Sequence, residues 1–235
     1  MTVICAKTQP MNTLPTFISI IFIATTILTI AFFYKAAQHC KVVLLILFCW
    51  VLLQTVLGLK GFYTNTATIP PRLLLLVVPP IFTIAALFIT TKGRFFIDSL
   101  NIKYLTILHI VRIPVELVLF WLFLNKTVPR LMTFEGRNFD ILAGITAPVI
   151  YYFSFIKNKP DKKIMLIWNC ICLALLINIV INAALSTPSV FQQFAFKQPN
   201  IAILYFPFNL LPAVIVPLVL FSHLASIRQM LSEKK

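Results

Sequence analysis

At 235 residues, 60% of them hydrophobic and only 11% charged, with a mean hydropathy of +0.96, the chain is too apolar for a soluble domain of its length. Its formal charge of +14 comes from 20 lysines and arginines against 6 acidic residues. The basic residues are scattered through connecting segments rather than massed on one surface, which excludes nucleic acid as the partner and points to the lipid bilayer.

Apolar runs near twenty residues recur along almost the whole chain. They predict an all-α, polytopic integral membrane helix bundle: about seven transmembrane helices in a single domain covering 1–235. The first helix, about 14–34, is longer than a signal-peptide core and no small-x-small cleavage site follows it. The second, about 42–60, carries Gln54 and Thr55; the third, about 72–91, contains Pro79 and Pro80.

The fourth helix, about 104–124, is the richest in chemistry. His109, Arg112 and Glu116 stand at spacings of three and four, so they share one helix face. A charged residue at mid-helix costs roughly 2.5–3.5 kcal/mol on insertion scales, so this face must look into the protein rather than at lipid. A rise of about 1.5 Å per residue puts Arg112 roughly 12 Å and Glu116 roughly 18 Å beyond Tyr104, on either side of the midplane of a core about 30 Å thick. Pro114 lies between them and frees the carbonyl of Ile110.

The fifth helix, about 139–156, is short and holds Gly144 and Pro148; Ala143, Gly144 and Ala147 allow close helix approach. Before it comes a long connection, Asn125–Asn138, and at its entrance Glu135, Arg137, Asn138 and Asp140 crowd together. The sixth, about 163–185, runs in the same direction as the fourth and carries Asn178 and Asn182 at i, i+4. After the connection Ser186–Asn200, the seventh helix, about 202–226, contains Pro207, Pro212 and Pro217.

With seven spans, twelve lysines and arginines fall on one side, among them Lys35, Lys92, Arg94, Lys103, Lys157 and Arg228, and seven fall on the other. The positive-inside bias places the N-terminus outside and the C-terminus in the cytoplasm. Small size and short loops point to a bacterial plasma membrane.

Two readings of the polar residues stand side by side. In the first they are structural: Arg112 pairs with Glu116 one turn away, Asn138 and Asp140 serve as cap and first-turn acid of the fifth helix, and Asn178 and Asn182 hydrogen-bond between helices. In the second, His109, Arg112, Glu116, Glu135, Asn138, Asp140, Asn178 and Asn182, joined by Gln54 and Thr55, line a vestibule that opens outward and ends at Arg112 and Glu116. A small solute or a proton would bind there. No HExxH, carboxylate pair at metal spacing or histidine triad occurs, and the five cysteines lack metal spacing, so no metal site is expected. No GxSxG, phosphate-binding glycine loop or lysine in the seventh helix occurs, and no cofactor is expected. A bis-histidine haem would have to draw on His39, His109 and His223, with His39 and His223 near the cytoplasmic helix ends.

The leading function is therefore a carrier- or channel-like membrane protein rather than an enzyme. The alternatives are an accessory or structural membrane subunit or sensor, and an intramembrane enzyme on a lipid-linked substrate using Glu116 or Asp140 as general base with His109 assisting.

Overall fold

The computed structural model describes residues 14–157 and 161–232. Cys5, Lys7 and Lys159, with Lys234 and Lys235, lie outside the described residues. Among the described residues, α1 (Thr16–Ala36) and α2 (Lys41–Leu59) are followed by α3 (Leu74–Ile89) and α4 (Thr91–Ser99). Then come α5 (Ile102–Leu108), a 3-10 turn (His109–Val111) and α6 (Arg112–Leu124) as one continuous stretch. α7 (Ile141–Tyr151) ends in a π-helical turn (Tyr152–Ile156), α8 (Lys162–Ser186) follows, and a second π-helical turn (Leu211–Ile215) leads into α9 (Val216–Ser232).

The chain is an all-α, multi-pass membrane bundle. Five stretches are long and apolar enough to cross a bilayer: α1, α2, Ile102–Leu124, α8 and Leu211–Ser232. A sixth arises if α3 and α4, bent by 95°, form one broken span, and Ile141–Ile156 is apolar but shorter. The stretch ending in α9 is the hub, with 67% of its apolar window buried, whereas α2 is peripheral at 11%.

Three expected segments differ in form: one connection, the middle of one span and the bounds of the last. The segment between the third and fourth spans, taken as a connection, is the helix α4. Thr90 breaks away in an extended conformation and its Oγ1 accepts from the amide of Gly93 at 3.2 Å, as an N-cap does. A side chain at Gly93 would put its Cβ 2.3 Å from the carbonyl oxygen of Leu87, so this sharp turn requires glycine. α4 is then pinned to α9: Arg228 donates to both carboxylate oxygens of Asp98 at 2.9 and 2.8 Å, and Gln229 donates to the carbonyls of Ile97 and Leu100 at 2.7 and 2.8 Å.

The fourth span is continuous but tightens into the 3-10 turn just before Pro114, whose ring cannot donate to the carbonyl of Ile110. The last helix begins at Leu211 rather than 202 and runs on to Ser232 rather than 226. Pro207 and Pro212 each lack the amide a helix would need there, so 202–210 folds as a short 3-10 helix (Ala202–Leu204) followed by turns. That segment finds its partners elsewhere: the amides of Ile201 and Ala202 donate to the carbonyl of Thr127 at 3.0 and 3.1 Å.

Candidate functional site

Counted along the helix axis, Arg112 lies about 15 Å from Ile102, His223 about 13 Å from Ser232 and Asn169 about 10 Å from Lys162. Three helices thus deliver polar side chains to one level of the bundle. α7 supplies the fourth wall. A Cβ on Gly144 would lie 2.9 Å from the Ile113 side chain and 3.0 Å from its amide nitrogen, so the two helices touch backbone to backbone beside Arg112.

Arg112 is the centre, 2% exposed. Its Nη1 donates to Asp140 Oδ1 at 3.0 Å and to the carbonyl of Cys172 at 3.4 Å. Its Nη2 lies 2.9 Å from His223 Nε2. A guanidinium offers donors only, so Nε2 must accept, and the His223 proton sits on Nδ1, 2.8 Å from Asn169 Oδ1. Asn169 Nδ2 in turn donates to the carbonyl of Met165 at 2.9 Å, which holds the amide with its oxygen toward the imidazole. The chain of bonds therefore selects one tautomer of His223.

His109 stacks on His223, ring centroids 3.8 Å apart and planes within 14°, and Trp168 lies beside the stack, its ring 5.5 Å from His109 and 5.9 Å from His223. Trp168 is itself oriented by a 2.9 Å bond from its Nε1 to Thr146 Oγ1 on α7. Rings stacked this closely leave no gap for a haem macrocycle between them. His39 lies apart, in the α1–α2 turn with its ring against Tyr34.

Glu116 joins from the other side. Asn138 Nδ2 donates to its Oε1 at 2.6 Å and to the carbonyl of Met132 at 3.0 Å, while Asn138 Oδ1 accepts from the amide of Asp140 at 3.0 Å. One asparagine thus ties the two carboxylate-bearing residues together. The expected Arg112–Glu116 pair is not what forms: Asp140, carried in by the close-packed α7, takes the guanidinium instead. Of the roles expected at this helix entrance, Asn138 keeps a cap-type bond to the Asp140 amide, whereas that of Asp140 as first-turn acid is displaced. Asp140 precedes α7 without a side-chain cap bond, because its carboxylate is turned to Arg112.

The outward vestibule is not open. Asn138 is fully buried, Glu116 is 2% exposed and Asp140 5%. Its other expected members lie elsewhere. Glu135 is a surface residue 4.0 Å from Arg130. Asn178 is exposed and donates to the carbonyl of Arg137 at 3.0 Å, and Asn182 bonds back to Asn178 within α8. Gln54 belongs to a separate buried group: Tyr63 donates to its Oε1, and Asn209 Nδ2 donates to its backbone carbonyl at 2.8 Å. Burial pushes the Tyr63 phenol up to about 12, with the Gln54 hydrogen bond acting against it.

Of the expected site residues, the structure gathers His109, Arg112, Glu116, Asn138 and Asp140, and adds Asn169 and His223. Four buried polar atoms of this group have no partner: both ring nitrogens of His109, Arg112 Nε and Glu116 Oε2. Among the described residues no group of three or more histidine, cysteine, aspartate or glutamate side chains is arranged to hold a metal ion.

A family model described as "Domain of unknown function (DUF8737)" matches residues 69–231, a stretch that contains every residue of this cluster. No curated protein and no solved structure matches the chain.

Proposed function

Because the chain belongs to the DUF8737 family, whose description carries no activity, we propose a function from the geometry: a carrier- or channel-like protein that handles a proton or small polar solute at the Arg112–Asp140–Glu116–His223–His109 cluster. The observation that carries this reading is the set of four unpartnered buried polar atoms on three neighbouring side chains. A structural polar lock closes its hydrogen bonds, because each open one is costly in a low-dielectric interior. A site that takes up a proton or a small polar species keeps some open.

In this reading Glu116 accepts the proton, and Arg112 holds an anionic group or sets the proton affinity of Glu116. Irregular backbone, a 3-10 turn immediately before Arg112 and π-helical turns farther along two other helices at Tyr152–Ile156 and Leu211–Ile215, supplies places where helices can bend. The topology belongs to the same proposal: seven crossings, the third ending where α3 turns into α4 and the fifth, Ile141–Ile156, a short one, with the N-terminus outside and the C-terminus in the cytoplasm of a bacterial plasma membrane. Lys92, Arg94, Lys103, Lys157 and Arg228 then lie on the inner side.

The test is flux into reconstituted vesicles, with a pH-sensitive dye and a panel of radiolabelled small solutes, comparing the wild type with Glu116→Gln. Loss of a wild-type flux in the variant supports the proposal; no difference for any solute or for protons refutes it. The direct 3.0 Å Arg112–Asp140 pair favours a second reading, in which the cluster only fixes packing in an accessory subunit.

A further inference from the structure

A second feature of the molecule lies away from the cluster. Between α2, α3 and α9 runs an apolar groove of about 740 Å³, lined by Val43, Trp50 and Leu53 of α2, Pro79 and Leu87 of α3, and Phe221 of α9, with Phe96 of α4 at one end. Its length decides what fits. From Val43 to Leu53 it covers ten residues of α2, about 15 Å, half the thickness of a hydrocarbon core of about 30 Å. That is the depth of one leaflet. A partner transmembrane helix would need a face running the full thickness.

The end of the groove is marked chemically. The α4 end of the bundle is also where α2 begins, since the amide of Asn101 donates to the carbonyl of Ala36 at 2.8 Å and Gln38 Nε2 reaches the carbonyl of Ser99. α4 turns 95° from α3, which lays it along the membrane surface when α3 crosses it. Its Phe95 is 79% exposed beside Lys92 and Arg94, the pattern of an interfacial helix that sets aromatic rings in lipid and cations at the headgroups. The carboxylate on α4 is already committed, since Asp98 is held by Arg228. Lys92 and Arg94 have no ion-pair partner among the described residues.

We propose that this groove holds an acyl chain of an anionic phospholipid from the leaflet at the α4 end, with the lipid phosphate held by Lys92 and Arg94. The groove supplies apolar length and α4 supplies uncompensated positive charge at its mouth. A zwitterionic lipid fits the first but not the second.

Trp50 lines the groove and reports directly on its contents. The protein is reconstituted in phosphatidylcholine doped with either phosphatidylglycerol or phosphatidylcholine carrying brominated chains, and the Trp50 signal is taken as the difference between wild type and Trp50→Phe. The expected result is a preference of roughly thirtyfold for the brominated anionic lipid, the order set by two cations at a membrane surface. The surface substitutions Lys92→Gln and Arg94→Gln together should abolish that preference and leave quenching by the zwitterionic lipid unchanged. Equal quenching by both lipids, a preference that survives the double substitution, or a Trp50 that neither lipid reaches because a second copy covers the groove, would each overturn the proposal. Native mass spectrometry of the detergent-solubilised protein gives a readout independent of Trp50→Phe: retained phosphatidylglycerol must fall in the double variant.

Discussion

Removing the guanidinium of Arg112 should be among the most damaging single changes in the protein. Arg112→Met keeps the length and apolar stem of the side chain but deletes three contacts, to Asp140 at 3.0 Å, His223 at 2.9 Å and the Cys172 carbonyl at 3.4 Å. Asp140, 5% exposed, is then left with a carboxylate that nothing neutralises. Breaking a buried ion pair from one side costs about 3–5 kcal/mol, chiefly through the abandoned charge. Asp140→Leu strands the guanidinium and should cost a similar amount.

The double variant Arg112→Met/Asp140→Leu removes both members of the ion pair, so neither is left without the other. What remains open is His223 Nε2 and the Cys172 carbonyl, a loss of about 1–3 kcal/mol. Two single losses of about 3 kcal/mol against a double loss of that size give a coupling of about 3 kcal/mol or more, near a factor of 150 in the folding equilibrium. The assay is reversible denaturant unfolding in mixed micelles followed by circular dichroism. Single losses below about 0.5 kcal/mol that simply add would refute the reasoning, since the pair would then contribute nothing to the fold.

Glu116→Gln should leave stability within about 1 kcal/mol, because Asn138 needs only an acceptor at Oε1 and the other oxygen has no partner to lose; unfolding in the same micelles checks this. Gly144→Val should cost about 1–3 kcal/mol and separate α7 from α6, since its Cβ would press on the Ile113 backbone; the drop in midpoint of thermal unfolding measures it. Tyr63, raised to about 12 from an ordinary value near 10, holds its proton more tightly folded than unfolded, so its contribution to stability is complete below pH 10 and lost as pH rises through 12. Ultraviolet titration should show one tyrosine ionising near 12, and Tyr63→Phe should flatten the alkaline limb of the stability curve.

The inward face of the fourth span was legible in the sequence because its logic is local: three ionisable side chains at helical spacing in a membrane-length run have one inexpensive direction to point. His109, Arg112 and Glu116 are all buried, as that argument requires. Their partners were not legible, because who meets Arg112 depends on how near α7 comes, and that approach is set by the missing side chain of Gly144 against Ile113. His223 was missed through a boundary error. A helix ending at 226 puts it three residues from water, whereas one ending at Ser232 puts it about 13 Å deep. Asn169 carried the clearest unused signal, a lone amide in the apolar run Ile164–Leu176. The bend before α4 was also written locally, in a threonine followed three residues later by glycine.

The cluster has two sides on which it could open, and their costs are unequal. On the α7 side, opening must break the Arg112–Asp140 ion pair and the backbone contact at Gly144, the more expensive route at about 3–5 kcal/mol for the pair alone. On the α9 side it must separate Arg112 from the neutral imidazole of His223, a bond to one charged group worth about 1.5–3 kcal/mol. The stretch leading into α9 has two prolines to bend at, against the single Pro148 of α7, which also ends in a π-helical turn. Pro212 and Pro217 each remove a backbone donor, and the π-helical turn at Leu211–Ile215 already departs from α-helical pairing. What resists the motion is the pair of side-chain bonds to α2, Trp50 Nε1 to the Ala213 carbonyl at 2.9 Å and Asn209 Nδ2 to the Gln54 carbonyl at 2.8 Å. Amide hydrogen exchange in micelles should therefore be faster across 211–217 than across 141–147, and Trp50→Phe should accelerate the first segment alone. Faster exchange at 141–147 would reverse the assignment and make α7 the moving wall.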